Sequence, residues 1–261
     1  MIRLENVSFG YDEREVLHGL SLSVGRGDFI ALIGPNGSGK STKIKLMTGL
    51  LTPSEGTIYL DGDDLHTLSP KRRGARIAYF PQSRPVPNMD VLTLVSHGRF
   101  PRLDFGRVMG KADREAVQRA LYQTGLECMT ARPLSELSGG ERQRAYLAML
   151  IAQDAEVLLL DEPGAFLDIR HQLEVIEILK ALNFGGKTIV FAAHDLPLAF
   201  SCAKRILLLE NGELTGDAPP GQMAETGLVE RAFGVRIRRQ EDDSLFKYTL
   251  AGIPPPEHSG G

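Results

Sequence analysis

The stretch Gly34-Pro35-Asn36-Gly37-Ser38-Gly39-Lys40-Ser41 constrains this chain more than any other part of it. It fits the pattern GxxxxGK[ST], between a short apolar strand-like run, Phe29–Ile33, and a helix-like segment from Ser41 to Leu50 ended by Gly49 and Pro53. Glycines let the backbone curl until successive N–H groups point inward, and the helix that follows adds its positive dipole end. Strand, curled loop and helix in this order make a cradle for phosphate oxygens. In it Lys40 reaches the β- and γ-phosphates of a nucleotide, and the Ser41 hydroxyl serves as a ligand for Mg²⁺. The competing explanation is a chance match in a Gly-rich turn, and the flanking strand and helix argue against it.

Around this loop the chain reads as α/β. Residues 1–25 alternate apolar and polar positions, which predicts antiparallel strands with turns at Gly10 and Gly25–Gly27. Thr57–Leu60 is a further strand, closed by Asp61-Gly62. Residues 83–110 are rich in Pro, Gly and Arg, and 111–132 have helical periodicity, so 83–135 reads as a mostly helical insertion. Regular alternation then resumes: helix 140–153, strand Val157–Leu160, helix 169–183, strand Thr188–Ala192, helix 197–203 and strand Arg205–Glu210. Such alternation implies a mainly parallel sheet covered on both faces. The expected organisation is a core of 1–82 and 136–227 that includes an antiparallel β subdomain, and a helical subdomain 83–135. A small C-terminal appendage 228–252 and a disordered tail 253–261 complete it.

Bulk properties exclude more than they assign. A net charge of -3 and a pI near 6.1 over 261 residues argue against a nucleic-acid partner, and Lys71-Arg72-Arg73 reads as a solvated face. Cys128 and Cys202 stand far apart without metal-site spacing, so a reducing cytosol is the expected home. The charged N-terminus does not read as a secretory signal, and no apolar run approaches the roughly 18–20 residues that span a bilayer. Any role at a membrane is therefore expected to run through a partner.

Two acidic residues close the strand Val157–Leu160. A carboxylate at the end of a parallel strand beside a phosphate loop is placed to hold Mg²⁺, which suits Asp161; Glu162 points differently and can polarise a water for in-line attack on the γ-phosphate. Without the phosphate loop, both would read as acids capping a strand before Pro163. His194 follows the strand Thr188–Ala193 and is a candidate γ-phosphate sensor, although a lone His is more often an ordinary surface or core residue. Gln82 follows the strand Ile77–Phe80 and offers its amide to the metal or the attacking water.

Leu137-Ser138-Gly139-Gly140-Glu141-Arg142-Gln143 joins these features, because it resembles the LSGGQ signature of ATP-binding cassette (ABC) proteins. The resemblance covers residues 1–235 with every motif in family order. It implies a phosphate-loop ATPase in which Tyr11 stacks on adenine and residues 34–42, including Thr42, form the Walker A motif. Gln82 lies in the Q-loop, 157–162 match Walker B, Leu167-Asp168 match the end of the D-loop, and His194 matches the switch histidine. Ser138, Gly139 and Gly140 open a helix, and with the Ser hydroxyl their N–H groups form an anion site. The family brings that site to ATP by a head-to-tail dimer, each nucleotide held between Walker A of one chain and the signature of the other.

A narrower likeness lies in Leu94–Pro101, Phe105-Gly106-Arg107, Arg144–Met149 and Leu167–Gln172, which resemble the importers of iron–siderophore, haem and cobalamin chelates. Those pair two ATPase chains, here expected to be identical, with two permease chains and a substrate-binding protein. The chain is then expected in the cytoplasm, peripheral on the membrane's inner face. The rival is a non-transport ABC ATPase of iron–sulfur cluster assembly. Three positions depart from the family pattern: Lys43 replaces the usual Leu, Gly164-Ala165 replace Thr-Ser, and Glu141 replaces Gln. An exposed cation at 43 opposes the helix dipole by roughly 0.3–1 kcal/mol.

Overall fold

The computed structural model describes residues 1–12, 14–103, 108–165, 167–240 and 248–252. The N-terminal part holds β1 (Ile2–Tyr11), β2 (Arg14–Val24), β3 (Phe29–Ile33), α1 (Lys40–Thr48), β4 (Glu55–Leu60), β5 (Asp63–Asp64), α2 (Pro70–Arg76) and β6 (Ile77–Phe80). Helices α3 (Val91–His97), α4 (Lys111–Gln123) and α5 (Gly139–Ala152) follow, then β7 (Val157–Asp161), α6 (Ile169–Phe184), β8 (Thr188–Ala192), α7 (Leu196–Cys202) and β9 (Arg205–Glu210). The chain continues through β10 (Glu213–Ala218), α8 (Pro220–Glu225), α9 (Leu228–Phe233), β11 (Val235–Arg239) and β12 (Tyr248–Gly252).

The central sheet has the order β10-β9-β3-β8-β7-β6 and is parallel except for β10. Its strands β3, β7 and β8 are buried at every position, as a sheet covered on both faces requires. Pleating sends alternate residues of β3 to opposite faces: Phe29, Ala31 and Ile33 join a core with α5, α6 and α7, whereas Ile30 and Leu32 join one with α1 and the antiparallel sheet. That second sheet, β2-β1-β4-β5, is the one the early alternation predicts. Helices α3 and α4 pack on α5.

Some boundaries move for identifiable reasons. Gly10 is no turn: it pairs with Glu15 within the β1–β2 ladder, and Asp12 takes the left-handed conformation beyond it. The periodicity over 111–132 outlasts its helix, because the Thr124 hydroxyl bonds back to Ala120 O at 2.9 Å and Gly125 turns the chain at φ 65°. Helix α2 and strand β10, which pairs back on the expected strand β9, lie in segments that alternation did not resolve. In the appendage, the Tyr248 ring sits 5.5 Å from Phe200 of α7. Phe105-Gly106-Arg107, residues 241–247 and the tail 253–261 lie outside the described residues.

The condition of exposure is not met at Lys43: the residue is fully buried, and its Nζ has no hydrogen-bond partner among the described residues. Helix α1 is enclosed on almost every side, with Thr42, Lys43, Ile44, Leu46 and Met47 all buried. Burial lowers the Lys43 ammonium from 10.5 to about 7.

Candidate nucleotide site

Register brings the site together. Asp161 lies opposite Ala192, Ala192 opposite Leu32, and Leu160 opposite Phe80, so Gly34, Gln82, Glu162 and His194 all leave the same edge of the parallel sheet. Ligands of open α/β sheets bind at this carboxyl edge. Residues 34–39 curl between β3 and α1. A Cβ at Gly34 would strike the Leu209 carbonyl and the Ser38 hydroxyl, and Gly37 and Gly39 have φ of 80° and 94°, so the loop needs glycine there.

Inside the loop the Lys40 ammonium donates to Gly34 O at 2.7 Å and Pro35 O at 3.0 Å. Burial lowers its pKa, and Glu162 and Asp161 oppose that shift. The Ser38 hydroxyl is buried without a partner among the described residues, an unmet donor inside the loop. Ser41 Oγ donates to Asp161 Oδ1 at 2.9 Å, which pairs two hard oxygen ligands. Burial raises the Asp161 carboxyl pKa, and the Ser41 bond works against the rise.

Glu162 turns away from Asp161. Its backbone holds φ at 53°, a left-handed conformation uncommon outside glycine, and the carboxylate meets the Gln82 amide at 2.7 Å and the His194 ring nitrogen Nε2. The three side chains expected to work together therefore touch. A cleft of about 1020 Å³ runs past them to Tyr11, lined also by Asn36, Gly37, Ser38, Gly39, Lys40, Ser41 and Thr42. Tyr11 stays 45% exposed at its far end, open for stacking, with its ring edge-on to Phe9. Val16, His18, Asn211 and Gly212 also line it and were not anticipated. The Asn211-Gly212 pair signals a hairpin turn, but nothing in the sequence says that this turn reaches the phosphate loop.

Ser138, Gly139, Gly140 and Asp168 are not among the described residues lining this cleft. The anion site they were expected to form is partly used internally. Glu141 Oε2 accepts from the Ser138 N–H at 2.8 Å, and the Ser138 oxygen accepts from the Glu141 N–H, a capping box. The open donors are thus the N–H groups of Gly139 and Gly140 and the Ser138 O–H. Asp168 caps α6, accepting from the His171 N–H at 3.0 Å and lying 2.7 Å from His171 Nδ1. The His171 ring edge covers Gly140 so closely that a Cβ there would overlap it, which ties the D-loop helix to the signature.

Residues 17–165 match the family model of the ABC transporter. The petrobactin import ATP-binding protein FpuC of Bacillus anthracis is 41% identical over 91% of this chain and 88% of its own length. The ferric enterobactin transport ATP-binding protein FepC of Escherichia coli is 36% identical over 97% and 92%. Among solved structures, a metal-chelate type ABC transporter in an inward-facing conformation matches with a TM-score of 0.81 at 25% identity, covering 98% of each chain. The dimeric post-hydrolysis state of an ATP-binding cassette with ADP and Pi matches at 0.74 and 28%, over 84% of this chain and 99% of that one. The chain belongs to the ABC transporter family, and it is an ATP-binding, ATP-hydrolysing subunit of that class. No described helix is long and apolar enough to cross a membrane.

Proposed function

We propose that this chain powers import of an iron chelate (siderophore or haem) or cobalamin, as one of two identical ATPase copies on the cytoplasmic face of a permease dimer. The observation that carries the reading is an incomplete site. One chain presents a phosphate loop, Asp161 and the Gln82–Glu162–His194 cluster, while its signature helix opens outside that cleft. A second copy, head to tail, supplies Ser138, Gly139 and Gly140 to close each ATP. The relatives' names support the cargo class and do not favour an iron–sulfur assembly ATPase.

In this reading Ser41, Asp161 and Gln82 hold Mg²⁺, whose chemistry is to neutralise charge on the β- and γ-phosphates. Glu162 takes a proton from the attacking water as the bond from the γ-phosphorus to the leaving ADP oxygen breaks. His194 contacts the γ-phosphate and registers its loss. The helical segment 83–135 and the Gln82 loop receive the permease's coupling helix. A substrate-binding protein delivers cargo from the other side. The test is uptake of radiolabelled ferric siderophores, haem and cobalamin by cells lacking this chain. Wild type should restore uptake of one class and E162Q should not. Uptake of all three unaffected by the deletion would reject the importer reading.

A further inference from the structure

Pro163 directly follows Glu162, and its carbonyl is not left to the turn that contains it. Ala165 N donates to Glu162 O at 3.1 Å, which closes a short turn over residues 162–165. Within that turn the Pro163 carbonyl accepts a hydrogen bond from Gln143 Nε2, reaching over from α5. Gln143 is 5% exposed, and its amide oxygen accepts from Arg84 Nη2. A guanidinium only donates and a carbonyl only accepts, so this amide has a single orientation, with its oxygen on Arg84 and its nitrogen on Pro163. No carboxylate, ammonium or apolar side chain satisfies both ends.

Arg84 is itself fixed. Its Nη1 donates to Pro81 O at 3.1 Å, and its guanidinium carbon lies 4.0 Å from the Phe80 ring centroid and 5.4 Å from that of Tyr146. Tyr146, one helical turn beyond Gln143, donates its hydroxyl to Pro85 O. The segment around Gln82 is thereby joined through one side chain of the signature helix to the backbone next to Glu162. Gly164 and Ala165 bring no side-chain hydroxyl to this turn. Gln172 adds a second hold from α6, donating to Gly164 O at 3.3 Å and Leu167 O at 3.1 Å.

We infer that Gln143, oriented by Arg84, is a positioning residue for Glu162: it pins the Pro163 carbonyl so that the carboxylate stays on the attacking water, and makes that position follow residues 81–85. The inference rests on Glu162 being the base. Q143E keeps an acceptor for Arg84 but sets a second acceptor against the Pro163 carbonyl, and the phosphate loop is untouched. Steady-state ATP hydrolysis, ATP affinity and thermal midpoint are measured on wild type, Q143E, Q143M, R84M, Q143E/R84M and E162Q. Q143E should lower kcat by about tenfold or more, the scale of a small misplacement, with ATP affinity and KM within about twofold. R84M should be slowed less, and the double variant no more than Q143E alone, because both act through one bond. Q143M, which fills the buried site without charge, should show the same kcat loss and carries the test if Q143E does not fold. A folded Q143E or Q143M with kcat within about twofold of wild type overturns the inference, as does a rate lost only through weaker ATP binding. E162Q separates the two levels: if it hydrolyses ATP normally, the base assignment fails and this inference with it. If E162Q is inert while Q143E and Q143M are not slowed, only the positioning role fails.

Discussion

Burial of the Lys43 ammonium in the first turns of α1 puts a pH-dependent cost on the fold. The unfolded chain holds that proton up to 10.5 and the folded chain releases it near 7, so between these values the unfolded state binds more protons and stability rises with pH. The cost is full below about 7 and relieved above about 10.5, and it is on the order of 5 kcal/mol at its limit. K43M keeps an unbranched chain and removes the charge. It should unfold at higher urea than wild type at pH 7, by a few kcal/mol, with the advantage shrinking steadily toward pH 10. An advantage equal at both pH values would show that packing, and not the buried charge, separates the two proteins.

At the scale of elements, the parallel sheet depends on the helix ends that reach its loops. Asn183, in the last turn of α6 and 6% exposed, donates through Nδ2 to Gly27 O at 3.0 Å, Asp28 O at 3.2 Å and Lys187 O at 2.8 Å. Its Oδ1 accepts from Lys204 Nζ at 2.7 Å. One side chain thus ties the starts of β3, β8 and β9. N183A leaves those groups without their partner and should cost about 2–3 kcal/mol in urea unfolding, while kcat of the folded enzyme stays near wild type. A loss under about 0.5 kcal/mol would mean that water replaces the amide without penalty.

The elements differ in how plainly the sequence announces them. Phe29–Ile33 and Thr188–Ala192 are short apolar runs between turn signals, so their place in a doubly covered sheet is a local property of the chain. The phosphate loop, Asp161, Glu162, Gln82 and His194 follow such strands directly, and strand register carries them to one edge. The burial of Lys43 is not legible locally, because a helix enclosed on nearly all sides carries no polar face in its sequence to show which positions meet water. Val16, His18 and Asn211 reach the cleft by the packing of separate strands. The Arg84–Gln143 contact joins residues 59 apart in the chain, and no local pattern encodes it.

For the whole molecule, the residues of the proposed ATP site do not share one cleft. The phosphate loop and Glu162 share one cleft, while the helix N-terminus at Ser138–Gly140 belongs to another part of the surface, held to the D-loop by His171. In the proposed dimer, ATP bound to one chain would lack half its contacts until a second chain, placed head to tail, supplied them. Hydrolysis would then remove the γ-phosphate shared by the two surfaces and let them part. The most direct measurement is the molar mass of E162Q in solution, by light scattering, with Mg²⁺ and ATP and without. With ATP bound and hydrolysis blocked, E162Q should be a dimer that dissociates when ATP is removed. A chain that binds ATP with full affinity and stays monomeric would contradict it.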